Sequence, residues 1–333
     1  MRVTAVQYGV GPIGRRIVET AVERGIAFVG AVDIDPDIVG EDLGRAAGLG
    51  RDLDVAVVDD AGALDADPDV VFHATASAIE AVEPQLVEAM AAGADVVSTA
   101  EELAYPWRAH PDAAQRLDDD AREHGVTCLG TGINPGFAMD VLPAVLSAPC
   151  RSVEAVRVER VQDAAARRGP LQAKIGAGLA VETWEDRVAR EGGHVGLPES
   201  VAMLADGLGW ALEAVEETVE PVVAEDRTVT AHVTVEPGEA AGIHQVATGV
   251  VDGEPAIELD LSLSVGAAEP HDAVTIEGVP DVETVVAGGF HGDVATPGVV
   301  VNAVPRVHEA PPGLATMLEL GTPRYDAGAA GSR

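Results

Sequence analysis

Four short stretches of this 333-residue chain bring together residue types that can do chemistry. The first is Gly9-Val10-Gly11-Pro12-Ile13-Gly14. Glycines at this spacing let a backbone approach a pyrophosphate, and a helix that starts there adds amide donors and the positive end of its dipole. Gly9, Gly11, Pro12, Ile13 and Gly14 are therefore expected to touch a dinucleotide. Asp33 lies nineteen residues past Gly14, at the end of an apolar run, where a carboxylate accepts from ribose hydroxyls. A carboxylate there repels a 2′-phosphate, so NAD is preferred. Arg15 and Arg16 could partner that phosphate and keep NADP open. The second stretch is His73-Ala74-Thr75-Ala76-Ser77. Ala74, Thr75 and Ala76 are small enough for the nicotinamide half of a cofactor to lie flat. The same residues also fit an ordinary turn with Ser77 as a cap.

The third stretch runs from Ser98 to Trp107 and holds two adjacent carboxylates, Glu101 and Glu102, just past an apolar run. Neighbouring side chains diverge, so one of the two is expected to face a crevice. Low-dielectric walls raise a carboxyl pKa and suit it to general-base work near neutral pH. The competing reading is specific, because Ser98-x-x-Glu101 and Thr99-x-x-Glu102 both fit a capping box. Tyr105 and Trp107 stand out in a chain with only 3% aromatic residues, as a pocket wall for a substrate or as core.

The fourth stretch is Gly130-Thr131-Gly132-Ile133-Asn134-Pro135-Gly136-Phe137, whose glycines and proline prescribe one backbone path. Asn134 is one of two asparagines, with Asn302, in a chain that otherwise uses aspartate, which suggests a need for a neutral amide toward cofactor or substrate. A turn-forming Asn-Pro step is the plainer alternative. Farther along, Gln172-Ala173-Lys174 carries the single lysine among 21 basic residues. Gly192-Gly193-His194-Val195-Gly196-Leu197-Pro198-Glu199 follows. Lys174 could bind a substrate carboxylate, and His194 could line the cleft, with solvated-turn and helix-start readings beside them. No His, Cys, Asp or Glu grouping has zinc-ligand spacing and no Ser-His-Asp arrangement is suggested, so no metal is expected.

The elements that must position these residues alternate. Strand-like runs at Val3–Tyr8, Ala27–Val32, Val55–Val58, Asp69–Thr75, Asp95–Ser98 and Val126–Leu129 are interleaved with helical spacing at Arg15–Val22, Ile79–Ala92 and Pro111–His124. That pattern predicts an α/β Rossmann domain, a doubly wound parallel sheet with ligands at the carboxyl ends of its strands. From about residue 147 the pattern changes. Val153–Val161 alternates, residues 197–218 read as helix, and Val219–Val223, Thr228–Val235, Gly242–Val251, Ala256–Val265 and Val274–Glu277 read as strands, with a hairpin turn at Asp252-Gly253. This predicts a second α+β domain with a largely antiparallel sheet. The expected division is 1–146 for nucleotide binding, 147–289 for substrate and oligomer contacts, and 290–325 as a closing segment. Residues 293–309 have the helical pattern.

Composition excludes some classes. Asp and Glu number 56 against 21 Lys and Arg, a net charge of −35, which disfavours nucleic acid and anionic membranes. The acids are spread along the chain, as in proteins adapted to a salt-rich interior, where at about 1 M salt the Debye length is about 3 Å. Cys128 and Cys150 form no disulfide framework. With no apolar run long enough for a membrane span and a first strand close to the start, the expected compartment is the cytoplasm.

Taken together, Gly9–Gly14, Ser98-x-x-Glu101-Glu102-Leu103-x-Tyr105-Pro106, Gly130–Phe137 and Gly193-His194-Val195-Gly196 resemble the 2,4-diaminopentanoate dehydrogenases and the related native NAD(P)H-dependent amine dehydrogenases. The closing Thr296–Pro305 and Pro312-Gly313-Leu314 are also similar to dihydrodipicolinate reductase, whose fold the group shares and in which the C-terminal helix returns to the nucleotide domain. The resemblance implies oxidative deamination of an amine or diamino acid, reversible as reductive amination of a ketone with ammonia, and a homodimer. It implies a catalytic glutamate at Glu101 or Glu102, with Glu101 preferred; the residues themselves place the expected substrate contacts at Tyr105, Trp107, Asn134, Phe137, Lys174 and His194. Glu159–Pro170 carries neither the paired histidine nor the Ser-Gly-Thr of dihydrodipicolinate reductase, so imine reduction of that kind is the second reading. A nucleotide-binding regulatory protein without turnover is the third, disfavoured by the carboxylate at the strand end.

Overall fold

The computed structural model describes residues 3–189 and 193–327. Two compact units divide the chain, Met1–Phe137 with Gly292–Arg333, and Ala138–His291. The expected bounds were 1–146, 147–289 and 290–325.

The first unit begins with β1 (Thr4–Tyr8), α1 (Pro12–Glu23) and β2 (Ala27–Val32). The one-turn helix α2 (Leu43–Ala46) and the short β3 (Val57–Val58) follow. Next come β4 (Val70–His73), α3 (Ile79–Ala91), β5 (Asp95–Ser98), α4 (Pro111–His124) and β6 (Thr127–Gly130). The six strands pair in parallel, in the order β6-β5-β4-β1-β2-β3. β4, β5 and β6 are short apolar runs buried at nearly every position, as strands covered on both faces must be. Ile79, Val82, Leu86 and Met90 of α3 pack with Ala114 and Leu117 of α4 and with Val6, Val71 and Val96 of the sheet. The closing segment returns to this unit, as expected. Helix Gly292–Glu309 packs against α1 and β5, and Gly313–Ala315 adds a seventh strand parallel to β6.

The second unit is built on a mixed sheet. Its strands run in the order Val282–Ala287, His271–Val279, Ser152–Asp163, Glu254–Ser264, Glu239–Val251, with Leu212–Val223 paired to the last. Only the pair Ser152–Asp163 with Glu254–Ser264 is parallel among the long strands. Asp252 and Gly253 both have positive φ, the geometry of the expected two-residue hairpin turn. Helix Leu197–Gly207 lays its apolar side on the sheet. The helix expected over 197–218 ends at Gly207, and residues 212–223 are strand. Gly209, at φ +70°, turns the chain, and the twelve residues Leu212–Val223 gain a full ladder against Glu239–Val251. Their apolar spacing fits either period, so pairing decides. Of the strand expected over Thr228–Val235 only the ends are strand, Thr228–Val229 pairing antiparallel with Thr234–Val235 as a small hairpin, and Val282–Ala287 is a strand that the sequence pattern did not suggest. Arg160 and Asp272, both buried, form an ion pair, and together they bind the carbonyl and amide of Phe290 at 2.7 and 2.6 Å.

Candidate active site

The carboxyl ends of β1, β2, β4, β5 and β6 lie side by side in the first unit, and each carries one of the residues singled out from the sequence. At β1, Gly9 has φ +90°, and a Cβ there would come within 2.5 Å of the Ala74 carbonyl oxygen. A Cβ on Gly14 would stand 1.9 Å from the Gly9 carbonyl oxygen, so helix and strand can pack this closely only with glycine. Gly11 is the N-cap of α1, and a Cβ on it would meet nothing within 4 Å. No side chain caps α1, and no acidic residue stands in its first turn although the chain holds 56. An uncapped, acid-free helix start behind an open glycine is the cradle that a pyrophosphate fits. Pro12 occupies the first helical position, and Ile13 is half-buried.

At β2, Asp33 is oriented by two amides, accepting from Val10 N–H at 2.6 Å and from Asp35 N–H at 2.9 Å. The Arg15 guanidinium donates to the Val10 carbonyl at 2.9 Å, and Arg16 faces Glu19 at 3.9 Å. Both arginines thus have partners on their own helix or loop. At β4, Ala74 is half-buried while Thr75 and Ala76 are exposed.

At β5 the two carboxylates separate. Glu102 Oε2 accepts from Ile79 N–H at 2.7 Å, capping α3, and lies 3.3 Å from His110 Nε2. Glu101, half-buried, opens the 3₁₀ turn Glu101–Ala104 and meets no hydrogen-bond or ionic partner among the described residues. Neither capping box forms. Ser98 Oγ accepts from Ala100 N–H at 3.1 Å, and the turn has no side-chain cap. The turn packs on the end of β6, where a Cβ at Gly130 would stand 2.4 Å from the Leu103 carbonyl carbon. Tyr105 is half-buried at the end of this turn, and Trp107 packs against the apolar core that holds α3 and α4.

At β6, Asn134 is 8% exposed, and its Oδ1 and Nδ2 find no partner among the described residues; Thr131 Oγ1 is likewise sealed and unpaired. Buried polar atoms in that state fit a ligand's hydrogen-bonding edge. Gly136, at φ +118°, folds the loop so tightly that a Cβ would stand 2.5 Å from Gly132 N. Phe137 lines an apolar pocket of about 140 Å³ with Val299, Ala303, Met317 and Leu320 of the closing segment.

The remaining two residues belong to the second unit. Lys174 ends the helix Gly169–Lys174 and is exposed. His194 is half-buried, with Nδ1 sealed and unpaired. Its backbone is clasped by the buried Gln245, which accepts from His194 N–H at 2.7 Å and donates to His194 O at 3.0 Å and to Glu217 at 2.8 Å. Burial pushes the His194 ring down to about 3, with the positive charges of Lys174, Arg160 and Arg167 adding to it. Gly192, which opens the expected motif, lies outside the described residues. Among the described residues no group of three or more His, Cys, Asp or Glu is arranged to hold a metal. No helix among them is long and apolar enough to cross a membrane. Two candidates, Gln85 and Gln245, had no flag in the sequence, and His73 stood in the second stretch with no role assigned to it. Each is a polar side chain on an otherwise apolar strand or helix face, a signal that becomes legible only once its partners are in place.

A family model for the 2,4-diaminopentanoate dehydrogenase C-terminal domain matches residues 137–331. The 2,4-diaminopentanoate dehydrogenase of Acetoanaerobium sticklandii is 36% identical over 238 residues, covering 69% of this chain and 67% of that protein. The chain belongs to the 2,4-diaminopentanoate dehydrogenase family. It is an enzyme of the oxidoreductase class. An amine dehydrogenase of Streptomyces virginiae is 26% identical over 96% of both chains. The solved amine dehydrogenase of Mycobacterium smegmatis superposes with a TM-score of 0.89 over 98% of each chain at 26% identity. Family and fold agree with the resemblance read from the motifs.

Proposed function

We propose that this enzyme oxidatively deaminates an amine or diamino acid to a ketone and ammonia, and aminates the ketone in reverse. Glu101 is its general base and NAD its preferred cofactor. The observation that carries the reading is the contrast at the end of β5, where Glu102 caps a helix and Glu101 has no partner among the described residues. A bound nicotinamide would accept or return the hydride at the amine-bearing carbon. The protein supplies the proton chemistry. The Glu101 carboxylate takes a proton from the substrate ammonium, leaving a neutral amine whose lone pair stabilises the carbon as it is oxidised. Once that proton has passed to solvent, the carboxylate takes another from water as the water adds to the iminium carbon and returns it to the nitrogen, so that ammonia departs and the carbinolamine hydroxyl sheds its proton as the carbonyl forms. Asn134 is the candidate for the carboxamide or the substrate nitrogen, because its amide is buried with no partner among the described residues. Tyr105, Phe137, Lys174 and His194 are assigned to substrate contacts within the same reading, whereas the packing of Trp107 supports its core role.

The preference for NAD rests on Asp33, held by two backbone amides, and on partners for both nearby arginines. A homodimer, a cytoplasmic location and adaptation to salt belong to the same proposal. The test is a panel of amines and amino acids with NAD and NADP in high salt, following absorbance of the reduced nicotinamide. Turnover of an amine with higher kcat/KM for NAD supports the proposal. Equal or better efficiency with NADP refutes the cofactor assignment, and no amine-dependent reduction refutes the function.

A further inference from the structure

β4 ends at His73 and β5 at Ser98, and the two residues are direct partners in the parallel ladder. The His73 side chain is 1% exposed at the base of two loops, one holding Ala74–Ala76 and the other leading to Glu101. Its Nδ1 lies 2.9 Å from Ser98 Oγ and its Nε2 2.7 Å from Gln85 Oε1. Thr75 Oγ1 donates to the same Gln85 oxygen at 2.7 Å. An amide oxygen only accepts, so the ring proton sits on Nε2, and Nδ1 is left to accept from the Ser98 hydroxyl. Ser98 Oγ in turn accepts from Ala100 N–H, the amide immediately before Glu101. Thr99 N–H donates to the His73 carbonyl at 2.9 Å. On the far side of Glu101, Glu102 N–H donates to Ser77 O at 3.2 Å, and the Glu102 carboxylate holds Ile79 N–H. The backbone is therefore tied on both sides of Glu101, while the Glu101 carboxylate itself meets no partner among the described residues.

We propose that His73 is a positioning residue for the reaction. Through the acceptor Nδ1 and Ser98 it fixes the loop that aims Glu101, and through Nε2, Gln85 and Thr75 it joins that loop to the one beside the nicotinamide. The inference rests on Glu101 being the base. Displacing a reacting group by about 1 Å can cost about a hundredfold in rate, so loosening this tie acts on turnover rather than on nucleotide affinity.

Four variants test it, each compared with wild type on an amine that wild type oxidises, with NADH affinity read by fluorescence and folding by thermal midpoint. His73→Phe keeps a ring and removes both bonds. Ser98→Ala removes the link alone. His73→Gln can reach Gln85 but not Ser98, and His73→Asn places an amide oxygen near the Nδ1 position. The expected result is a kcat lowered about tenfold or more in His73→Phe, Ser98→Ala and His73→Gln, with NADH Kd within about twofold of wild type. In His73→Asn, kcat recovers to within about threefold. A lowered midpoint with unchanged kcat in Ser98→Ala and His73→Gln makes the network merely structural and overturns the proposal. So does a loss of NADH affinity in step with kcat, or no difference between Asn and Gln. If His73→Phe does not fold, Ser98→Ala and the Asn–Gln comparison decide. An active Glu101→Gln enzyme sinks the base assignment itself, whereas an inactive Glu101→Gln beside fully active His73 variants sinks only this proposal.

Discussion

The Glu102 carboxylate closes the α3 N-terminus through Ile79 N–H, while Glu101 meets no donor among the described residues. Their substitutions should therefore differ in kind. Glu101→Gln is expected to lower kcat about 10²–10⁴-fold while NAD binding and thermal midpoint hold, as removal of a general base does. Glu102→Ala, which removes the acceptor of Ile79 N–H, is expected to lower stability by about 0.5–2 kcal/mol, the scale of a lost helix cap, with kcat largely kept. Steady-state kinetics and denaturant titration of the two variants check both, and a reversed pattern exchanges the roles. Lys174 offers a second prediction at this scale. It is exposed, yet its charge is one of those that depress the His194 ring. Lys174→Ala should raise KM for the amine with kcat little changed, and an unchanged KM removes the lysine from the site.

At the scale of elements, β4 and β5 are joined by a buried imidazole, and that has a pH consequence. Burial pushes His73 down to about 4 from an ordinary 6.5, with the Gln85 bond opposing. As pH falls below 6.5 the unfolded chain takes up this proton first, so the folded state loses stability between pH 6.5 and about 4. Above 6.5 the contribution is fully present. The whole loss is on the order of 3 kcal/mol. The depressed ring of His194 acts in the same direction. Chemical denaturation of wild type and His73→Phe across this window should show the steeper acid limb in wild type, and parallel limbs would contradict the assignment. These elements also show where legibility stopped. Ala27–Val32, Asp95–Ser98 and Pro111–His124 were readable to the residue, because an apolar run or a helix with Pro at its start and Gly at its end has one local solution. Leu212–Thr218 was not, since its side-chain spacing satisfies two periods and the ladder with Glu239–Val251 chose between them.

For the whole molecule the dominant quantity is the net charge of −35. Such a density opposes compaction unless counterions screen it. Thermal midpoints measured from about 0.1 M to multimolar KCl should rise steadily. A flat profile would separate the acidity from any salt requirement.

The residues alone pointed to a dinucleotide cradle at Gly9–Gly14, to a parallel sheet with Asp33, Ala74, Glu101 and Asn134 at or beyond the carboxyl ends of its strands, and to the family those motifs belong to. Each of these depends on local rules: glycines at a set spacing, a carboxylate at the end of an apolar run, a period of two or 3.6. The division of labour between Glu101 and Glu102 came only with the tertiary structure. So did the place of Trp107 in the core, the clasp of Gln245 on His194, and the tie from His73 to Ser98. These depend on partners 23, 51 and 25 positions away in the chain, for Glu102, His194 and His73 respectively. A carboxylate or a ring reads the same in the sequence whether a distant amide satisfies it or leaves it free to react.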